Sequence, residues 1–198
     1  NRGLKVATGE IIGFCDSDDV VSRRMCEIVK KKFNDFKNAK ILITGYEKVD
    51  NGIVKKRYGV DSIKQWKKDT TIKHVIYDEN ITGMVCNKFF KAELISDEYF
   101  DISLDYSEDM EFVIRMLLKC NDDEIVITNC ITYYYIYREN SVTNDIARLF
   151  NPVSGDLKYN ETFLKILDLI IDNSIIKYYI FYKIFIFCLN AISTYEVT

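Results

Sequence analysis

The stretch EIIGFCDSDDVV, Glu10 to Val21, constrains this chain more than any other. Residues 10–15 are apolar and rich in β-branched and aromatic side chains, which reads as a buried strand. Asp16, Asp18 and Asp19 follow at once. In open α/β sheets, ligands bind beyond the carboxyl ends of strands. Carboxylates on a tight turn there can converge on one hard divalent cation. Mg²⁺ and Mn²⁺ prefer oxygen ligands, and Mg²⁺ often takes one or two carboxylates together with substrate phosphates. The other reading is a polar turn whose last Asp, or Ser22, caps the following helix. D-x-D alone does not separate the two.

The rest of the chain sets this strand in an α/β pattern. VVSRRMCEIVKKKFNDF places Met25, Ile28, Val29, Phe33 and Phe36 at helical spacing and predicts an amphipathic helix. AKILITGYEKVD predicts a second strand, and Asn51–Gly52 predicts a hairpin turn into IVKKRYGV. DSIKQWKKDTTIKHVIYD is weakly helical, and ITGMVCNKFFKAELI mixes strand and helix signals. SEDMEFVIRMLLKC predicts a helix with acids in its first turn, where they favour the helix dipole. DEIVITNCITYYYIYR predicts one or two strands. Beyond Asn151–Pro152 the pattern is helical and very apolar. The expected division is therefore an α/β domain over 1–150 and a helical extension over 151–198.

Composition narrows the class. A chain of 198 residues with 48% hydrophobic and 29% charged side chains can bury one sizeable core with an appendage. A net charge of −3 gives no push toward nucleic acid. None of the six cysteines forms a C-x-x-C pair, and His74 is the one histidine, so a zinc site is not expected. Buried, reduced thiols in a cytoplasmic protein are the expectation. The start NRGLKVATGE has neither an initiator Met nor an apolar leader and reads as the interior of a longer sequence. Residues 175–192 are interrupted by Lys177 and Lys183, too early for a membrane span. They read as a core or docking helix, or else as an interfacial helix touching the inner face of a membrane.

Two families carry an acidic motif after an apolar strand. FCDSDDVV fits the D-x-D-x-[TV] opening of the haloacid-dehalogenase-like phosphatases. NRGLKVATGEIIGFCDSDD resembles, almost throughout, the longer fingerprint of family 2 glycosyltransferases of the GT-A fold. That pattern demands NRGL and ATGE as well, which the phosphatase motif does not. Later stretches resemble the same family in order: ILITGYEKVDNG, CNKFFKAELI, SEDMEFVIRML and TYYYIYRENSVT. The resemblance covers residues 1–145.

The resemblance implies a GT-A-like mixed sheet flanked by helices, lacking the N-terminal part of the nucleotide-binding domain. It implies an inverting, metal-dependent transfer of a sugar from a nucleotide diphosphate donor, UDP-linked in most members, to a glycan or lipid-linked acceptor in bacterial surface polysaccharide synthesis. Asp18 and Asp16 correspond to the ligands of Mg²⁺ or Mn²⁺, with Asp16 also facing the donor ribose. Asp109 corresponds to the general base and Glu108 to a residue that orients its neighbours or contacts the acceptor. Asn1, Arg138 and Ser141 match donor-side segments. Met84, Asn87 and Lys88 match the acceptor side, with a structural role for Lys88 equally open. Many relatives have a metal-assisting histidine near Arg138, and this chain has none there. The missing half of the sheet implies an unpaired edge or an exposed apolar face. Trp66 and Tyr133 to Tyr135 are candidates for sugar stacking, and equally for core or rim positions.

Two other functions stay open at this point. One is a phosphatase with Asp16 as nucleophile, Asp18 as acid/base, and Glu108 and Asp109 as distal metal carboxylates. The other is a non-catalytic truncated module.

Overall fold

A computed structural model of the chain describes residues 1–138 and 158–170, together with residue 177. Its elements are α1 (Arg2–Val6), β1 (Ile11–Gly13), β2 (Val20–Val21), α2 (Met25–Asp35), β3 (Ile41–Asp50), β4 (Ile53–Tyr58), α3 (Lys68–Tyr77), β5 (Lys88–Lys91), α4 (Glu108–Leu118), β6 (Ile125–Ile136) and α5 (Lys158–Leu169). A short 3₁₀ turn, Asp122–Glu124, leads into β6.

The strands form one mixed sheet in the order β1-β5-β3-β6-β2, with β4 paired to β3 off that path. β3 and β6 are parallel, while β5 is antiparallel to both β3 and β1. β1, β3 and β6 therefore run in the same direction and end on one side. Alternation along the strands sorts the core into two layers. Ile41, Ile43, Phe90, Ile125 and Ile127 face α3, α4 and α5 through Ile72, Val75, Phe112, Met116 and Phe163. Leu42, Phe89 and Val126 face the other way, onto Val29 and Phe33 of α2. β3 carries both layers, which is why its first half reads as a continuous apolar run rather than an alternating one.

Gly45 marks a handover along β3. Residues 41–43 pair with β5, and residues 46–50 pair with β4. A Cβ at Gly45 would lie 2.7 Å from the Tyr58 carbonyl oxygen, so only glycine lets the strands approach there. The Asn51–Gly52 hairpin is present, with both residues at positive φ, 50° and 76°.

Three boundaries differ from the expectation. The strand expected over 10–15 is shorter, Ile11–Gly13, because the chain then leaves β5 to form the acidic turn. The helix expected from Val20 begins at Met25. Val20 and Val21 instead pair with Tyr134 and Tyr133, since the exposed side of β6 offers them a ladder. IVITNCITYYYI, Ile125–Ile136, forms one strand of 12 residues, whose register with β3 shifts on either side of Gly45.

Helix α5 is docked on the main core. Phe163, Ile166 and Ile170 join the α4 cluster, Thr162 Oγ1 donates to the Tyr106 carbonyl, and Lys165 pairs with Asp101. Among the described residues no helix is long and apolar enough to cross a membrane. Ser141, the boundary at 150–151, and the interfacial reading of 175–192 fall outside the described residues, apart from residue 177.

β1 ends the strand order, and among the described residues only β5 pairs with it. Beside it lies a groove of about 400 Å³, lined by residues that include Ile11, Phe14, Met25, Val29 and Phe89. The thiols are only partly as expected. Cys86 and Cys120 are buried, but Cys15 and Cys26 are exposed, because they lie along this edge and on the outer side of α2.

Candidate active site

The acidic turn carries the chain from β1 at one end of the strand order to β2 at the other. It lies across the end of the sheet where β1, β3 and β6 finish. Tyr133, fully buried on β6, holds it in place. Its hydroxyl donates to Asp19 Oδ2 at 2.6 Å and accepts from the Asp16 backbone N–H at 3.2 Å. The backbone N–H of Ile136 donates to Asp19 Oδ1 at 2.8 Å. Both oxygens of Asp19 are thus engaged with the end of β6. This corrects the expected helix cap: Asp19 lies well before α2 and ties the turn to the sheet instead.

Asp16 and Asp18 are placed differently. Burial, and secondarily the charge of Asp19, hold the Asp16 carboxyl above its ordinary range, with a smaller contribution from Asp18. A cation at this turn would relieve that accumulation of charge. Asp18 is half exposed. Arg138 donates to its carbonyl at 2.8 Å and sits 3.4 Å from its carboxylate.

Among the described residues no group of three or more His, Cys, Asp or Glu side chains forms a metal cage. The donor set here is two hard carboxylate oxygens on a crowded anionic turn. That set suits Mg²⁺ or Mn²⁺ when the remaining ligands are diphosphate oxygens and water.

The second carboxylate group opens helix α4. Ser107, at φ 54°, turns the chain sharply into Glu108 and Asp109. Asp109 Oδ1 accepts from the Met110 N–H at 2.8 Å. Its carboxyl is raised to about 6, first by burial and then by the neighbouring charge of Glu108. The Met110 N–H, the Lys88 ammonium and the Val85 N–H oppose the rise. A carboxylate of this affinity is ionised at neutral pH and is a stronger base than an ordinary aspartate.

Beneath this carboxylate lies the loop 81–87. Lys88 is fully buried, and its ammonium donates to the carbonyls of Ile81, Thr82 and Met84 at 3.0, 2.9 and 2.6 Å and to Asn87 Oδ1 at 2.8 Å. Asn87, also fully buried, donates to the Thr44 carbonyl at 2.7 Å. These two residues matched the acceptor side by resemblance, with a structural role for Lys88 equally open, and their burial favours structural roles for both. They have no exposed surface with which to touch an acceptor, because their polar groups hold the loop from below. Met84 is the partly exposed member of the set, and it packs against the cluster of Tyr46, Cys86 and Tyr133.

Cys86 joins the two carboxylate groups. It lies against Tyr133, and its thiol is raised to about 12 by burial, in a field to which Lys88, Asp16 and Asp109 all contribute. The D-S-D-D turn and the E-D helix start, far apart along the chain, both act electrostatically on this thiol.

Other expected residues find different roles. The Asn1 amide exchanges two hydrogen bonds with the Phe100 backbone, at 2.9 and 2.8 Å, so its side chain clamps α1 rather than presenting itself to a donor. Trp66 packs against His74 at 4.2 Å between ring centroids, and His74 bonds Asp78, so neither stands at the acidic turn. Tyr133 is a buried strut and not a stacking surface. Sequence reading missed this role of Tyr133, the bridging place of Cys86, and Gly83. A Cβ at Gly83 would lie 2.6 Å from Met110 Cβ, so the loop seats directly on the start of α4. The one signal available in advance was a glycine inside ITGMV, a hint of close backbone approach.

Comparison with known proteins bears on the fold and on part of the sequence. The family model for Glycosyl transferase family 2 matches residues 1–98. The fold is similar to that of S. aureus TarS, solved over residues 1–349. The TM-score is 0.56 at 21% identity, covering 85% of this chain and 48% of that one. A TarS structure in complex with UDP-GlcNAc aligns with a TM-score of 0.59 at 19% identity, covering 85% of this chain and 50% of that one. The chain spans about half the length of these structures. A comparison with curated proteins matched none. The family 2 match thus covers residues 1–98, and the described residues form an α/β mixed sheet flanked by helices that is similar to the GT-A-like fold of TarS.

Proposed function

We propose that the chain takes part in an inverting, metal-assisted glycosyl transfer from a nucleotide diphosphate sugar to a saccharide or lipid-linked acceptor, in bacterial surface polysaccharide synthesis on the inner face of the membrane. The observation that carries this reading is the presence of two unlike carboxylate groups whose charges both reach Cys86. One is an anionic turn suited to a cation-bound diphosphate. The other is a single carboxylate raised to about 6. The TarS structure with UDP-GlcNAc supports a UDP-sugar as the donor class.

In this reading Asp16 and Asp18 would hold Mg²⁺ or Mn²⁺, which would bind the donor's diphosphate. The ion supplies neutralisation of the charge that develops on the departing group. Arg138, paired with Asp18, has a planar fork of donors that would suit a donor phosphate. Asp109 accepts the proton of the acceptor hydroxyl as that oxygen bonds to the anomeric carbon. The bond from that carbon to the diphosphate oxygen breaks on the opposite face, and its electron pair leaves with the nucleotide. Attack opposite to departure inverts the centre. Glu108 helps hold Asp109 basic and lies beside the acceptor. Met84, on the exposed side of the loop, contributes to acceptor choice, and Ser141 is a donor-side candidate by resemblance alone.

The decisive test is Asp109→Asn in the protein as encoded, assayed for release of UDP from UDP-sugars. Loss of a general base alone costs roughly 10²–10⁴-fold in turnover. Donor binding should be unchanged. Near-normal turnover would remove Asp109 from the mechanism. Release of inorganic phosphate from simple phosphomonoesters would favour the phosphatase reading of Asp16, and absence of both activities and of donor binding would favour a non-catalytic module.

A further inference from the structure

Lys88 is unusual among the cations of this protein. Among the described residues it is a lysine with no exposed surface, and its ammonium faces backbone carbonyls rather than a carboxylate at salt-bridge distance. A buried ammonium is costly unless its hydrogens are all satisfied. Here four oxygens surround three hydrogens, within 2.6 to 3.0 Å. Three of those oxygens are carbonyls of one loop, at Ile81, Thr82 and Met84.

That loop is in turn attached to the start of α4 at two points. The Val85 N–H bonds the Asp109 carboxylate. Gly83 approaches Met110 so closely that a Cβ would also lie 3.2 Å from Met110 Cα. Thr82 is held at φ 44°, a conformation that a non-glycine residue keeps only when its surroundings enforce it. The Lys88 bond to the Thr82 carbonyl is one such constraint, and the Met84 N–H bond to Thr82 Oγ1 at 3.1 Å is another.

We propose that Lys88 is a positioning residue for Asp109: its buried ammonium fixes the 81–87 loop, and the loop presents the Val85 N–H and the Gly83 seat that hold the Asp109 carboxylate at the start of α4. The significance for transfer rests on the reading of Asp109 as the base. The coupling itself does not, and it is measurable without any acceptor.

Lys88 also acts on Asp109 through its charge. Its ammonium is lowered to about 8, first by burial, with Cys86 and Asp109 opposing the fall. The charged groups facing Asp109 are Glu108 on its own helix and Lys88 on β5, with the Cys86 thiol on the loop between. Removing the Lys88 charge leaves Glu108 and burial unopposed from that side. The Asp109 carboxyl should then bind its proton more tightly.

The test is a ¹³C NMR titration of the aspartate carboxyls in the protein and in Lys88→Met, with the Asp109 signal assigned from its loss in Asp109→Asn. Lys88→Met keeps the side-chain volume and removes the ammonium. The Asp109 midpoint should rise by about 0.5 to 1 on the pH scale. Hydrogen exchange at the Val85 amide should quicken about tenfold or more, because local opening no longer breaks the lysine bonds. A merely structural lysine would lower thermal stability and leave the Asp109 midpoint where it is, and that result would overturn the proposal.

If Lys88→Met does not fold, Asp109→Asn reads the same coupling from the other end. By linkage the Lys88 midpoint, followed at Cε, should fall by a similar amount. An unmoved Lys88 midpoint would overturn the proposal equally. A confirmed coupling alongside full transfer activity in Asp109→Asn would retain the positioning role and discard the base.

Discussion

The two carboxylate groups of this protein are built in opposite ways. The Asp16–Asp19 turn is held from one side only, by Tyr133 and the end of β6, and its negative charges crowd one another. Asp109 is one carboxylate at a helix start, set above a buried ammonium and given backbone N–H groups of its own. Among the described residues no buried cation faces the acidic turn, which suits one supplied with the substrate. The helix start has its own, and its carboxylate is left poised near neutrality. The same side-chain chemistry thus meets two different surroundings, one that crowds negative charge and one that raises a single carboxyl, and in the proposed reading these suit charge binding and proton transfer respectively.

The comparison breaks first at Asp18. If the turn works by gathering a cation, Asp18→Asn should lower metal-stimulated turnover by roughly 10²-fold or more, since a bound cation supplies several kcal/mol of transition-state stabilisation. Titration of Mn²⁺ with UDP present, in protein and variant, measures it. Full activity in excess EDTA would leave Asp18 as a partner of Arg138 and nothing more.

Tyr133→Phe sharpens the contrast. It removes the strut of the acidic turn without touching Asp109. A partly buried carboxylate oxygen that loses its donor costs about 1 kcal/mol. Chemical denaturation should show that loss, and the Asp109 titration should not move. A variant as stable as the parent would mean that the Ile136 N–H suffices to hold Asp19.

The third effect has an unusual sign. The Asp109 carboxyl is raised from 3.8 to about 6 in the folded protein. Between those values the folded state holds a proton that the unfolded state has released, so stability falls as pH rises through this window. Asp109→Asn removes the cost of ionising there. It should therefore stabilise the protein at pH 7 by about 1–2 kcal/mol, allowing for the partial exposure of the side chain. The gain should vanish below about pH 4, where both states are protonated. Thermal melts across that range decide it, and a variant less stable than the parent at pH 7 would show that Asp109 is not strained by its charge.

Much of this was legible in the order of residues. β3 and its hairpin follow from a β-branched run and the Asn51–Gly52 pair, because both signals are local. Helix α4 follows from its apolar spacing and its first-turn acids. The family resemblance rested on contiguous motifs, which a chain displays without folding. The location of Asp16, Asp18 and Asp109 as candidates came from the same source.

What tertiary structure decided were pairings between distant segments. Val20 and Val21 read as helix from their neighbours and became strand because β6 lay open beside them. Asp19 read as a cap and became a staple because Tyr133, far along the chain, reached its carboxylate. Asn87 and Lys88 read as acceptor-side groups and became the floor of a loop because burial leaves an amide or an ammonium few partners except the backbone above it. Local pattern determines which segments form and which side chains they carry. Which polar group ends up facing which is set by long-range packing, since hydrogen bonds between distant residues leave no periodic trace in the sequence.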